Sequence, residues 1–177
     1  MGQPFHVILA SIGTDGDILP YVGLGVRLRS RGHRVTLAAA APFENLATRH
    51  GLEFQPLISE EENHQLLGSP DFWHPWKGAR HCARWGIRFI ERQYRLLSRV
   101  AAGGEAVVVC PPALFAAQCL QEKAGVPLVH LVLQPWMIPS AFAPPVMAGL
   151  PLPRWAPRPV WQLVWRAVDG VCGPAAR

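Results

Sequence analysis

The amino-acid sequence predicts an α/β fold, a doubly wound parallel sheet, on three observations. The first 57 residues read as strand, helix, strand, helix, strand. The strands are continuous apolar runs, as in a sheet covered on both faces. Glycines and prolines fall at the joints between elements. Half of the 177 residues are hydrophobic and 16% are charged, which excludes a disordered chain and suffices for one domain with its own core.

Residues 5–11 (FHVILAS) are β-branched and aromatic enough for a buried strand, and residues 12–17 form a glycine-punctuated turn. Residues 18–31 suit a helix: Tyr21, Leu24, Gly25 and Leu28 share one side, and Pro20 is expected in the first turn, where its missing N–H does no harm. Gly32 follows as a natural stop. Arg34–Ala40 is a second strand, residues 42–50 a short helix closed by Gly51, and residues 53–57 a third strand. Residues 59–76 are polar, acidic at Glu60, Glu61 and Glu62, and lack a period, so a loop or insertion is expected there. Residues 79–101 form a long helix, Ala106–Cys110 a fourth strand, residues 113–124 a helix ended by Gly125, and residues 127–133 a fifth strand. From 134 to 159 prolines recur too often for regular structure, and residues 160–168 suit a last helix. The expected organisation is one α/β domain over 1–133 and a Pro/Trp-rich irregular segment with a short C-terminal helix over 134–177. There is no internal repeat.

Net charge is +5, but between Lys77 and Arg99 stand seven basic residues and one acid, Glu91. That local balance of +6 leaves the rest of the chain near −1. One basic element rather than a cationic surface argues against a nucleic-acid partner. At about 100° per residue, Arg80, Arg84, Arg88, Arg92, Arg95 and Arg99 share an arc of about 120°. Trp85, Ile87, Phe89, Ile90, Tyr94, Leu96, Leu97 and Val100 occupy the remainder. Such a face is most often simply solvated; the sharper reading is contact with an anionic membrane surface through Arg80 to Arg99. Trp155, Trp161 and Trp165, with Arg154, Arg158 and Arg166, form a second aromatic-basic patch, read in part as surface for a further domain.

Cys82, Cys110, Cys119 and Cys172 form no C-x-x-C pair and no zinc spacing, so reduced thiols in a cytoplasmic protein are expected, with no metal. No secretory leader and no run of apolar residues long enough for a membrane span is apparent, so the protein is expected to be cytoplasmic or peripheral to a membrane.

Chemistry concentrates in Gly13-Thr14-Asp15-Gly16-Asp17-Ile18-Leu19-Pro20, between the first strand and the first helix. In open α/β sheets this junction binds ligands, because free N–H groups and the helix dipole converge there. The spacing is G-x-x-G-D, not the dinucleotide G-x-G-x-x-G, and no acid ends the second strand to hold a ribose. Asp17 is open to two readings: a helix N-cap, which would lower its basicity, or a general base. His33, at a helix end, reads as structural, and Cys110 as a buried thiol without a base beside it.

The run Gly13-Thr14-x-Gly16-Asp17-x-x-Pro20 is followed by Gly25-x-x-Leu28-x-x-x-Gly32-His33-x-Val35-Thr36, then Phe43, then Gly51-Leu52-x-Phe54-x-Pro56-Leu57. Together these resemble the amino-terminal, acceptor-side domain of inverting GT-B glycosyltransferases, nearest to glycosyltransferase family 28 and the sterol and glycopeptide glucosyltransferases. Ala124-Gly125-Val126-Pro127, Gln134-Pro135 and the loop from Pro139 to Pro145 are similar to the same family's later region. The resemblance implies a Rossmann-like half of a GT-B fold that moves a hexose from a nucleotide-diphospho-sugar co-substrate to a hydroxyl of a lipophilic acceptor such as a lipid or sterol. It implies no cofactor and no metal. By motif match Asp17 is the base, Gly13, Thr14 and Gly16 line the cleft near the donor phosphates, and Gln134, Trp136 and Ser140 line the acceptor. The donor-binding domain is expected to be missing or separate, leaving this chain inactive alone. The alternative is a standalone ligand-binding or membrane-peripheral module derived from that domain.

Overall fold

A computed structural model describes residues 4–74, 77–134, 138, 157–163 and 166. The chain divides into two compact units, Met1–Leu133 and Gln134–Arg177. In the second, residues 158–163 and 166 are helical. Of the tryptophans expected to form a second surface patch, Trp161 is buried and contributes no surface, while Trp155 and Trp165 lie outside the described residues.

The first unit contains β1 (His6–Ala10), α1 (Asp15–Ser30), β2 (Arg34–Ala40), a 3₁₀ turn at Ala41–Phe43, α2 (Glu44–Arg49) and β3 (Glu53–Ile58). It continues with α3 (Glu60–Leu67), α4 (Gly78–Ala101), β4 (Ala106–Cys110), α5 (Phe115–Ala124) and β5 (Leu128–His130). All strand pairs are parallel, in the order β3-β2-β1-β4-β5. This is the Rossmann-like doubly wound arrangement.

The strands' alternation sorts them into two cores. Val7 and Leu9 of β1 and Val35, Leu37 and Ala39 of β2 face Ile18, Tyr21 and Val22 of α1. Ile8, Ala10 and Ala38 face the other way, toward Leu97 of α4 and Leu120 of α5. Every residue of β1 is buried, as a parallel sheet sandwiched by helices requires. Each fully buried Leu or Ile contributes about 1.5–3 kcal/mol.

The opposite, N-terminal edge of the sheet carries a polar cluster. His6 Nε2 lies 2.8 Å from the Thr36 hydroxyl, which donates to Glu53 Oε2 at 2.9 Å. Arg34 grips the same carboxylate through Nε (2.7 Å) and Nη2 (2.9 Å). The hydrogen bonds from Arg34, and less strongly that from Thr36, hold the Glu53 carboxyl below its ordinary range. Burial, then the Arg34 charge, lowers the pKa of His6. His33 is structural in the same region: its Nδ1 accepts the Phe5 N–H at 3.2 Å, and the two rings stack.

Four elements differ from the sequence reading. Helix α1 starts at Asp15, three residues before the expected start, so Pro20 falls in the second turn. Pro20 cannot donate to the Gly16 carbonyl, but Gly16 is exposed and water can take that acceptor. Part of the expected loop is α3, nucleated by a capping box: the Glu62 N–H donates to Ser59 Oγ (3.2 Å) and the Ser59 N–H to Glu62 Oε2 (2.8 Å). Strand β5 spans three residues, not seven. On α4, Ile87 is 64% exposed at the border of the arginine face rather than packed in the core.

Candidate functional site

The order of the sheet reverses between β1 and β4, and the loops leaving their C-terminal ends stand at this switch point, the place where open α/β sheets bind ligands. The loop after β1 is pinned first by Ser11, 1% exposed, whose N–H donates to the Ala38 carbonyl (3.0 Å) and whose hydroxyl donates to the Asp17 carbonyl (3.2 Å). Gly13 then takes φ +149°, a conformation L side chains rarely adopt. A Cβ at Gly13 would sit 2.3 Å from Asp17 Oδ2, so the glycine is required twice over: by its backbone and by the carboxylate it cradles.

Asp17 is neither a plain N-cap nor an unattached acid. Thr14 is the N-cap, and Asp17 is the third helical residue, reaching back to it. Its Oδ2 accepts the Thr14 N–H at 2.9 Å and the Thr14 hydroxyl at 3.0 Å. Oδ1 has no hydrogen-bond partner among the described residues. One oxygen therefore anchors the side chain while the other keeps its acceptor capacity at a half-buried position. Thr14 has both of its donors committed to Asp17. The N–H groups of Asp15 and Gly16, at the first two helical positions, have no acceptor among the described residues and are exposed. Two carboxylates in this turn, Asp15 and Asp17, oppose the attraction those N–H groups would have for an anion.

The hydroxyl of Tyr21 and the thiols of Cys110 and Cys82 are held in their neutral forms. Tyr21 is fully buried, and burial, followed by the neighbouring Cys110 and Asp17, raises its hydroxyl well above the ordinary range. That hydroxyl donates to the Leu131 carbonyl at 3.5 Å. Burial pushes the Cys110 thiol up to about 12. His130, its partner across β4 and β5, comes no closer than 3.9 Å from Nδ1 to Sγ, so Cys110 is not an activated nucleophile. Desolvation, then the Asp17 carboxylate, raises the Cys82 thiol in the second turn of α4. Cys82, Cys110 and Cys119 are free, and no three His, Cys, Asp or Glu side chains cluster as metal ligands among the described residues.

Gly13, Thr14, Gly16 and Asp17 thus come together in one turn. Gln134 is exposed at the start of the second unit, and Trp136 and Ser140 lie outside the described residues. Sequence reasoning did not find Ser11 or Tyr21 as neighbours of Asp17, because it began the helix at residue 18: with α1 starting at Asp15, Tyr21 stands one turn beyond Asp17 on the same helix, and Ser11 closes the same loop. No helix of the described residues is long and apolar enough to cross a membrane.

With this geometry established, comparison with known proteins is informative. Residues 7–142 match the glycosyltransferase family 28 N-terminal domain. A sterol 3-beta-glucosyltransferase of Debaryomyces hansenii is 26% identical over 142 residues, covering 78% of this chain and 9% of that protein. Sterol 3-beta-glucosyltransferase UGT80A2 of Arabidopsis thaliana is 43% identical over 54 residues, 30% of this chain and 8% of that protein. The chain thus spans about a tenth of the length of these relatives. Among solved structures, the calicheamicin glycosyltransferase CalG4 superposes with TM-score 0.57 at 18% identity, over 97% of this chain and 43% of that one. SnogD of Streptomyces nogalater gives TM-score 0.55 at 26% identity, over 75% and 37%. The sheet and its crossovers are those of one half of a GT-B fold, and the chain belongs to glycosyltransferase family 28 through its N-terminal domain.

Proposed function

We propose that this domain holds the acceptor alcohol of a sugar-transfer reaction and that Asp17 Oδ1 is the general base. The observation that carries the reading is the division of labour within one carboxylate. Oδ2 is fixed by two donors from Thr14, and Oδ1, at the switch point of the sheet, has no partner among the described residues. A base needs both properties, since a proton is taken efficiently only from a hydroxyl held about 2.6–3.2 Å away in a defined direction. In the step, the acceptor O–H proton passes to Oδ1 as the oxygen attacks the anomeric carbon of a nucleotide-diphospho-sugar. The bond from that carbon to the diphosphate breaks, the nucleoside diphosphate leaves, and the configuration inverts.

Asp15 and Asp17 make the loop a poor host for a diphosphate on its own, so the donor is held mainly by a companion donor-binding lobe. The free N–H groups of Asp15 and Gly16 then complement the leaving group from this side. The names of the relatives, sterol 3-beta-glucosyltransferases, favour a lipophilic alcohol as acceptor and a hexose as the transferred sugar.

The test is Asp17→Asn in the chain combined with a donor-binding lobe, assayed with nucleotide-sugars and a panel of sterols and lipophilic alcohols. Asn keeps an oxygen for Thr14 but cannot take a proton. Turnover is expected to fall by about 10²–10⁴, with little change in the KM for the donor. Retention of wild-type turnover removes Asp17 from the role of base.

A further inference from the structure

A base must be directed as well as held, and its direction is set by the backbone beneath it. Thr14 fixes one oxygen of Asp17, but both residues belong to the start of α1 and move with that helix. Where Oδ1 points therefore depends on how α1 is seated on the sheet. Two contacts seat it, one toward each end. Toward the C-terminal end, Gly25 is buried so closely that a Cβ there would stand 2.9 Å from Leu52 Cδ1 and 3.0 Å from Leu9 Cδ1. Toward the N-terminal end the seat is Ser11.

Ser11 follows β1 directly, and its N–H donates to the Ala38 carbonyl at 3.0 Å, which carries the ladder to β2 one residue further. Its hydroxyl then donates to the Asp17 carbonyl at 3.2 Å. Among the described residues this is the one hydrogen bond that joins the sheet side of the turn to Asp17 itself. It takes nothing from the helix, because a carbonyl oxygen has two lone pairs and the helix ladder uses one. Ser11 is 1% exposed, and an Ala would fill nearly the same space without bringing a polar group into the interior. Packing therefore does not explain a serine here, whereas the bond to residue 17 does.

We infer that Ser11 is a positioning residue for the transfer step: it seats residue 17 on the sheet so that Oδ1 faces the acceptor hydroxyl. The inference rests on the reading of Asp17 as the base. Without the bond, α1 stays packed through Ile18, Tyr21 and Val22, but its first turn can tilt about the Gly25 contact. Residues 17 and 25 lie about 12 Å apart along the helix, so a tilt of about 3–5° carries the carboxylate about 0.6–1 Å. Misplacement on that scale slows the reaction by about 10–100-fold and leaves the binding of either substrate nearly unchanged.

The test is a double-mutant cycle in the chain combined with a donor-binding lobe, using the donor and lipophilic alcohol from the panel above that the parent turns over fastest. Ser11→Ala is expected to lower kcat by about 10–100-fold, with KM for donor and acceptor within about twofold of the parent. In an Asp17→Asn background there is no base left to direct, so Ser11→Ala should change the residual rate by less than about twofold. Loss of the same factor in both backgrounds means that Ser11 acts through folding or binding, and overturns the proposal. Parent-like turnover in Ser11→Ala, where Asp17→Asn is slow, overturns it as well and leaves the base reading standing. Parent-like turnover in Asp17→Asn removes the base reading, and the proposal with it. Ser11→Cys keeps a side chain of similar reach but is only a weak donor, so it should be as slow as Ser11→Ala and carries the test if the Ala variant does not fold. Urea midpoints of each variant establish that the fold is retained.

Discussion

Replacing Gly13 by Ala tests the central turn most directly. Two separate costs arise. An L residue at φ +149° sits in backbone space that is nearly reserved for glycine, a strain of about 1–3 kcal/mol. The new methyl would also stand 2.3 Å from Asp17 Oδ2 and 2.7 Å from its Cγ, far inside van der Waals contact. The carboxylate must swing away and release both Thr14 donors, which forfeits a capping interaction of about 1 kcal/mol. Against this, Ala restricts the unfolded chain and recovers about 0.4–1 kcal/mol. The net expectation is a destabilisation of about 2–3 kcal/mol. Gly16→Ala is the control: its Cβ would meet nothing closer than Thr14 Oγ1 at 3.7 Å, so the change should be neutral or slightly stabilising. Urea unfolding followed by far-UV circular dichroism reads both as midpoint shifts at constant slope. In an Asp17→Ala background, Gly13→Ala should lose the part of its cost that comes from the clash, leaving only the backbone strain. A Gly13→Ala midpoint within about 0.5 kcal/mol of the parent, or equal effects at Gly13 and Gly16, would refute the reasoning.

Acidification should remove stability in two stages. The folded protein lowers the pKa of His6, so the unfolded chain binds more protons and stability falls once pH drops below about 6.5, the ordinary histidine value. Glu53 and Glu62 are also held below their ordinary values, and their contributions, present above about pH 4.5, are lost as pH falls through their folded values. His6→Gln should flatten only the first stage in a pH series of thermal melts; an unchanged profile between about pH 7 and 5 counts against the assignment. Glu62→Ala removes both the return bond of the Ser59 capping box and the Arg92 bridge, and should cost about 1–2 kcal/mol by urea unfolding. The cost should fall mostly on the helical signal of α3 in hydrogen exchange, and uniform loss across the domain would speak against a local role.

The strands and their order of succession could be read from the chain because they are buried on both faces, and continuous apolar runs such as residues 6–10 admit few other readings. The glycine turn was also visible as a motif. What the spacing left open was the job of Asp17, because N-cap and third-helical-residue placements differ by where the helix begins. Gly16 and Pro20, both weak helix formers, disguised that start. Helix α3 was missed for a related reason. Its run of acids and scarcity of apolar residues hide a period, although Ser59-x-x-Glu62 is itself a start signal. The His6–Thr36–Glu53 cluster and the Cys110–His130 contact depend on strand register, which no local pattern specifies.

The two ends of the sheet hold different properties. His6, Thr36, Glu53 and Arg34 knit the strand beginnings together, while Gly13, Thr14 and Asp17 occupy the strand endings. A library confined to the first group would tune acid tolerance without touching the turn that holds Asp17. One confined to the loops after β1 and β4 would vary selectivity on an unchanged chassis. Such physical separation gives an evolving protein two dials that turn independently.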